Sequence, residues 1–150
     1  MNVQDARSTQ HKDGYFDLLV SNNVFEHIYP SLLKGIVKEF DRITKKNGLQ
    51  SHFIDMSDHF AHADKSITVY NYLKFSEKQW AWIDNSVQPQ NRMRLHDYLK
   101  ILKPFNSNIS RNRERAGNEF ELCKVKIDRG LWGDSVEGVA ITHTHLTYTK

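Results

Sequence analysis

The chain has 150 residues, 39% of them apolar and 26% charged, which suits one soluble domain with one core. No apolar run approaches the ~20 residues that span a bilayer, and the polar opening MNVQDARSTQHKDG has no leader-like apolar stretch. A net charge of +3 is too weak to mark a nucleic-acid or membrane-surface binder, and the single Cys123 closes no internal disulfide, so a cytoplasmic protein is expected.

In chain order, residues 1–15 read as a connector with a turn at Asp13 and Gly14. The apolar run at 16–21 predicts a strand buried on both faces of a parallel sheet. Pro30 and Ser31 open an amphipathic helix of about four turns, with Leu32, Leu33, Ile36, Val37, Phe40 and Ile43 at helical spacing. Lys45 and Lys46 suit its negative end, and Asn47-Gly48 predicts a left-handed cap. Residues 49–56 read as the next strand, so 16–56 form one strand–helix–strand unit of a parallel sheet. Ser76-Glu77 predicts a helix start with Trp80 and Ile83 on one face, and Met93 to Leu102 a further helix ended by Pro104. Phe105 to Ile109 reads as a short strand and 110–118 as a polar loop, with Arg111, Arg113 and Arg115 as a solvated cluster. The segment 120–127 fits a helix or a strand, and Val139 to Tyr148 is the last strand.

Several side chains carry chemistry. Ser21, Asn22 and Asn23 follow the first strand, where an open α/β sheet places its ligands. Glu26 and His27 come next; an imidazole titrating near neutrality suits a general base, and equally a packed loop. The stretch DMSDHFAHAD offers Asp55, Asp58, His59, His62 and Asp64 as metal donors, with His59 and His62 on one face if helical, and His52 lies three before Asp55. No recognised metal-binding spacing is present, so no metal is assigned, and His59 and His62 are expected to bind an acceptor. Arg92 and Arg94 offer charge to a carboxylate or phosphate, or are solvated. His143 and His145 face the same side of the last strand, read as the polar face of an edge hairpin. The aromatic-rich segment 57–90 reads as an insert or lid over a substrate pocket.

Taken as an ordered set, Asp5-Ala6, FDLLVSNNVFEHI, a helix closing on FDRITKKNG, LQSHFIDM, MRLHDYLKIL, FNSNI and VAITHTHLTYT resemble the C-terminal half of a class I S-adenosylmethionine-dependent methyltransferase of the type 11 group. The resemblance covers most of the chain. It implies a partial Rossmann-like α/β sheet with a closing antiparallel hairpin and flanking helices. It also implies S-adenosyl-L-methionine as cofactor, held by Asp5, Ala6, Ser21, Asn22 and Asn23, with His27 and Glu26 catalytic and His59, His62 and Arg92 on the small-molecule acceptor. The family's Gly-rich first turn and ribose-binding acid have no counterpart here, since only Gly14 precedes Gly35. The expectation is therefore a single N-terminally truncated methyltransferase-like domain over 1–150, with Met1 an internal start and cofactor binding impaired. Its first strand would become a sheet edge that self-associates. Two other classes fit the residues: a non-catalytic interaction module, and a metal-dependent hydrolase using the Asp/His insert.

Overall fold

The computed structural model describes residues 4–105, 108–131 and 135–150. Among the described residues four strands form one sheet: β1 (Phe16–Asn22), β2 (Thr44–Asp55), β3 (Ser110–Arg115) and β4 (His143–Thr149), in spatial order β1-β2-β4-β3. β1 and β2 run parallel, joined by helix α1 (Pro30–Ile43), and β4 runs antiparallel to both β2 and β3. Short helices fill the rest: α2 (Phe60–Ala63), α3 (Glu77–Ile83), α4 (Leu95–Leu102), α5 (Glu119–Cys123) and α6 (Val136–Ala140). None of the described helices is long and apolar enough to cross a membrane.

The expected strand–helix–strand unit is present, and its local chemistry explains it. Pro30 occupies the first turn of α1, where its missing N–H costs nothing. Leu33, Ile36, Val37 and Ile43 then face inward, one stripe along the helix. The helix does not end on Asn47-Gly48. Thr44 is already extended, and its hydroxyl donates to the Phe40 carbonyl at 2.6 Å. Asn47, at φ 68°, instead lies in an irregular start of β2, where pairing jumps from Phe16–Thr44 to Leu18–Leu49. Gly48 is required there because a Cβ would sit 2.8 Å from Thr44 Cγ2 and 2.9 Å from the Lys45 carbonyl oxygen. Ser76 caps α3 through the amide of Gln79, whose side chain returns the bond to the Ser76 N–H at 2.8 Å.

Side chains alternate across the sheet, and α1 and α4 pack on one face only. Phe25, Leu33, Val37, Ile54, Tyr98, Leu102, Leu146 and Tyr148 make that core. Burying each such side chain stabilises by roughly 1.5–3 kcal/mol. On the other face Leu18, Val20 and Leu49 remain 54%, 59% and 41% exposed. β1 is therefore not buried on both faces as its apolar run predicts. It is an edge strand, paired with β2 alone among the described residues.

Three further boundaries differ from the sequence reading. The penultimate strand is SRNRER at 110–115, not 105–109; Phe105 closes a turn on Leu102, and residues 106–107 lie outside the described residues. An outer strand needs little apolar content, so its charged residues read as a loop. Residues 136–140 are helical, and β4 begins at His143 and lies inside the sheet rather than in an edge hairpin. Helix α4 starts at Leu95, two residues later than expected, and the ambiguous 120–127 stretch opens with α5.

The aromatic segment after β2 builds a second core, in which Tyr70, Tyr72, Leu73 and Trp80 pack with Leu122, Ile127, Val139 and Ala140. Arg94 joins the two cores. It is fully buried, and its guanidinium donates to the carbonyls of Met56, Val139 and Ile141 and to the Tyr72 hydroxyl. Arg94 thus binds the protein's own backbone rather than an external anion.

Candidate functional site

Because β1 and β2 are parallel, their carboxyl ends open on the same side of the sheet, where this architecture forms its crevice. β1 ends at Ser21 and Asn22. Asn23 then turns the chain in the left-handed region (φ 52°), and its N–H donates to the Phe53 carbonyl at 3.0 Å. A 3-10 turn, Phe25–His27, follows, and the buried Phe25 ring anchors it. Two residues with imidazole and carboxylate groups are thereby set at the end of the sheet.

Glu26 is 1% exposed. One carboxylate oxygen accepts the Asp55 N–H at 3.3 Å, while Oε2 has no hydrogen-bond partner among the described residues. Burial pushes its pKa up, against the smaller pull of backbone hydrogen bonds. His27 Nδ1 lies 2.8 Å from the Pro89 carbonyl oxygen. A carbonyl only accepts, so Nδ1 carries the proton and Nε2 presents a lone pair. The His27 and His59 rings are 5.0 Å apart, and those of His59 and His62 5.7 Å.

At the end of β2, Asp55 accepts from the Ser57 N–H at 2.8 Å and hydroxyl at 2.6 Å. Its other oxygen lies 3.3 Å from His143 Nε2 and 3.7 Å from His59 Nε2. Burial opposes ionisation of Asp55, but the His143 and Ser57 hydrogen bonds outweigh it and hold the carboxyl far below its usual range. Burial lowers the pKa of His59, with the Asp55 charge partly opposing.

The structure thus brings the Glu26–His27 pair to His59 and His62, with Asp55 and His143 beside them. It places the other candidates elsewhere. The Ser21 hydroxyl turns inward to His52 Nδ1 at 2.8 Å, and Asn22 and Asn23 are exposed. Asp5 is half exposed and held by Arg7 at 2.6 Å, with Ala6 beside it on a segment pinned to α1 by Thr9–Glu39 bonds. His52 is fully buried, stacked on Phe25 and Phe40, and does not share a face with Asp55 as helical spacing would require. His143 and His145 do face one side, each tied to β2: His143 to Asp55, and His145 to the Ser51 hydroxyl at 2.8 Å.

Arg92 faces a neighbouring pocket of about 520 Å³, lined by Trp80, Gln90, Asn91, Met93 and Ile101 among others. Its guanidinium lies over Trp80 at 5.4 Å and donates to Glu77 and to the Phe75 carbonyl, so its donors are engaged within the protein. Gln90 links this pocket to the crevice, accepting the His59 N–H at 3.1 Å. Asn91 donates to the Phe25 and Ile28 carbonyls at 2.7 and 2.8 Å and so clamps the Phe25–His27 turn. Neither amide was distinguishable in sequence from loop polarity; the adjoining Pro89 was the one local signal that this segment is rigid.

The fold, with its crevice at the strand ends, is similar to that of solved SAM-dependent methyltransferases. Residues 1–51 match the methyltransferase domain family Methyltransf_11, so the first third of the chain carries the type 11 sequence pattern. Among solved structures, the PH0226 protein from Pyrococcus horikoshii OT3 superposes with a TM-score of 0.56 at 14% identity, covering 99% of this chain and 57% of that one. A SAM-dependent methyltransferase from Methanosarcina mazei gives 0.52 at 12% identity, covering 99% and 66%. One from Archaeoglobus fulgidus gives 0.53 at 13% identity, covering 93% and 62%. The chain spans less than two thirds of the length of each of these structures. No curated protein matches the sequence.

Proposed function

We propose that this chain takes part in S-adenosylmethionine-dependent methyl transfer to a small-molecule acceptor. The observation that carries the reading is the methyltransferase family match over residues 1–51, which takes in β1, its polar turn and α1. When bound, the cofactor supplies an electrophilic methyl group on a sulfonium sulfur.

The residues present fit such a cofactor on one side. Asn22 and Asn23 are exposed at the carboxyl end of β1 and offer their amides outward. Asp5 fits less directly, because it must exchange its Arg7 partner to accept from an adenine amine. Residues 1–34 contain one glycine, Gly14, so the close backbone approach that glycines permit is missing, and weak cofactor binding is expected. On the acceptor side, His27 Nε2 takes the proton from an acceptor hydroxyl or amine, while Pro89 holds the ring's tautomer. Buried Glu26 stabilises the imidazolium that results. His59 and His62 line the approach, and placement of the acceptor supplies most of the rate.

Calorimetry with S-adenosylmethionine tests the reading. Saturable binding at high-micromolar to millimolar cofactor, weakened by Asn22→Ala or Asn23→Ala, is expected. No heat at millimolar cofactor would overturn it.

A further inference from the structure

We propose that Glu26, His27 and His59 form a binding site for a first-row divalent transition-metal ion. One carboxylate oxygen and one ring nitrogen from each histidine already lie within 4.8 Å of one another. Ligand atoms around such an ion sit roughly 3.3 Å apart, given metal–ligand distances of about 2.0–2.2 Å, so small side-chain rotations close the set.

Three independent features prepare these groups. The Pro89 carbonyl fixes the His27 proton on Nδ1 and frees the Nε2 lone pair, as a metal-ligating imidazole requires. Glu26 Oε2 is buried without any donor among the described residues, and a buried carboxylate oxygen in that state calls for a cation or a proton. His59 brings its ring to 5.0 Å from that of His27, so both imidazoles face the same space. Two imidazoles and one carboxylate select zinc-like or iron(II)-like ions over magnesium or calcium, and leave positions for water or an oxygen-bearing ligand.

A second trio, Asp55, His59 and His62, shares His59. Asp55 is already engaged by Ser57 and His143, and His62 is exposed, so the Glu26 trio is the better prepared. No local motif announces this site, because the turn after β1 and the segment after β2 each contribute part of it.

The ion and a transferred proton would use the same Nε2 lone pair. The inference therefore does not rest on the methyl-transfer reading, and its test needs no cofactor. Cobalt(II) is titrated into the full chain while ligand-field absorption is recorded, then displaced with zinc. One cobalt per chain is expected. His27→Gln and His59→Gln should each weaken binding at least about tenfold, and His62→Gln should leave it within about twofold. Glu26→Gln should also weaken it, with circular dichroism confirming the fold. If that buried variant does not fold, the two half-buried histidines carry the test. Absence of a saturable ligand-field band would overturn the proposal. So would binding that survives both His27→Gln and His59→Gln, or that is lost in His62→Gln alone.

Discussion

His143 Nε2 lies 3.3 Å from Asp55 Oδ2, and the two residues are directly paired across β4 and β2. This contact ties the final strand to the rim of the crevice. His143→Ala should cost roughly 1.5–3 kcal/mol, the usual worth of a hydrogen bond to a charged group, and should raise the Asp55 pKa. Because the folded pKa of Asp55 is depressed, its contribution is present above the unfolded value near 3.9 and is lost as pH falls below it. Urea unfolding of both proteins between pH 3 and pH 7 measures the effect. Identical pH profiles would refute it.

His52 should make the fold sensitive to mild acid. Burial, with a smaller repulsion from His145, lowers its pKa to about 4. The unfolded chain binds this proton near pH 6.5, so stability is full above that value and declines as pH falls toward 4. The loss should approach about 3 kcal/mol at pH 4, at roughly 1.4 kcal/mol per unit. Nuclear magnetic resonance titration of the His52 ring checks it; a normal imidazole midpoint would contradict the buried, stacked placement.

Arg94→Met should cost about 3 kcal/mol, since it strips the donor from the carbonyls of Val139 and Ile141. Arg94→Lys should not restore stability, because a compact ammonium cannot reach four acceptors on two sides. Chemical denaturation of the two variants measures this. A lysine variant as stable as the original would show that charge alone matters there.

The free edge of β1 should drive self-association, with Leu18 and Val20 exposed on one face beside Leu49. Light scattering is expected to give a mass above one chain. Leu18→Lys with Val20→Lys should return it to a monomer with unchanged circular dichroism. A monomeric parent chain at high concentration would count against this.

The sequence revealed most where local chemistry and tertiary packing agree. The α1 stripe, the helix start at Ser76 and the alternation of β4 are visible because each is set by near neighbours. β3 was hidden because its hydrogen bonds to β4, not its side chains, define it. In the site, Glu26, His27 and His59 were legible as chemically capable residues. Their meeting was not, because it depends on the parallel register of β1 and β2 and on the clamp supplied by Pro89 and Asn91. Arg94 shows the opposite case: its charge suggested surface, and four internal acceptors made the interior tolerable.

The one-sided pairing of β1 has a mechanical consequence. Glu26 and His27 follow an edge strand that is paired on one side among the described residues, whereas His59 follows a strand flanked on both sides. The two halves of the crevice are therefore held differently, the first by one strand neighbour and the Asn91 bonds to the Phe25 and Ile28 carbonyls, the second by a strand paired on both sides. Anything that zips onto the outer side of β1 would brace the first half without approaching either residue, and the spacing of the cluster would report it.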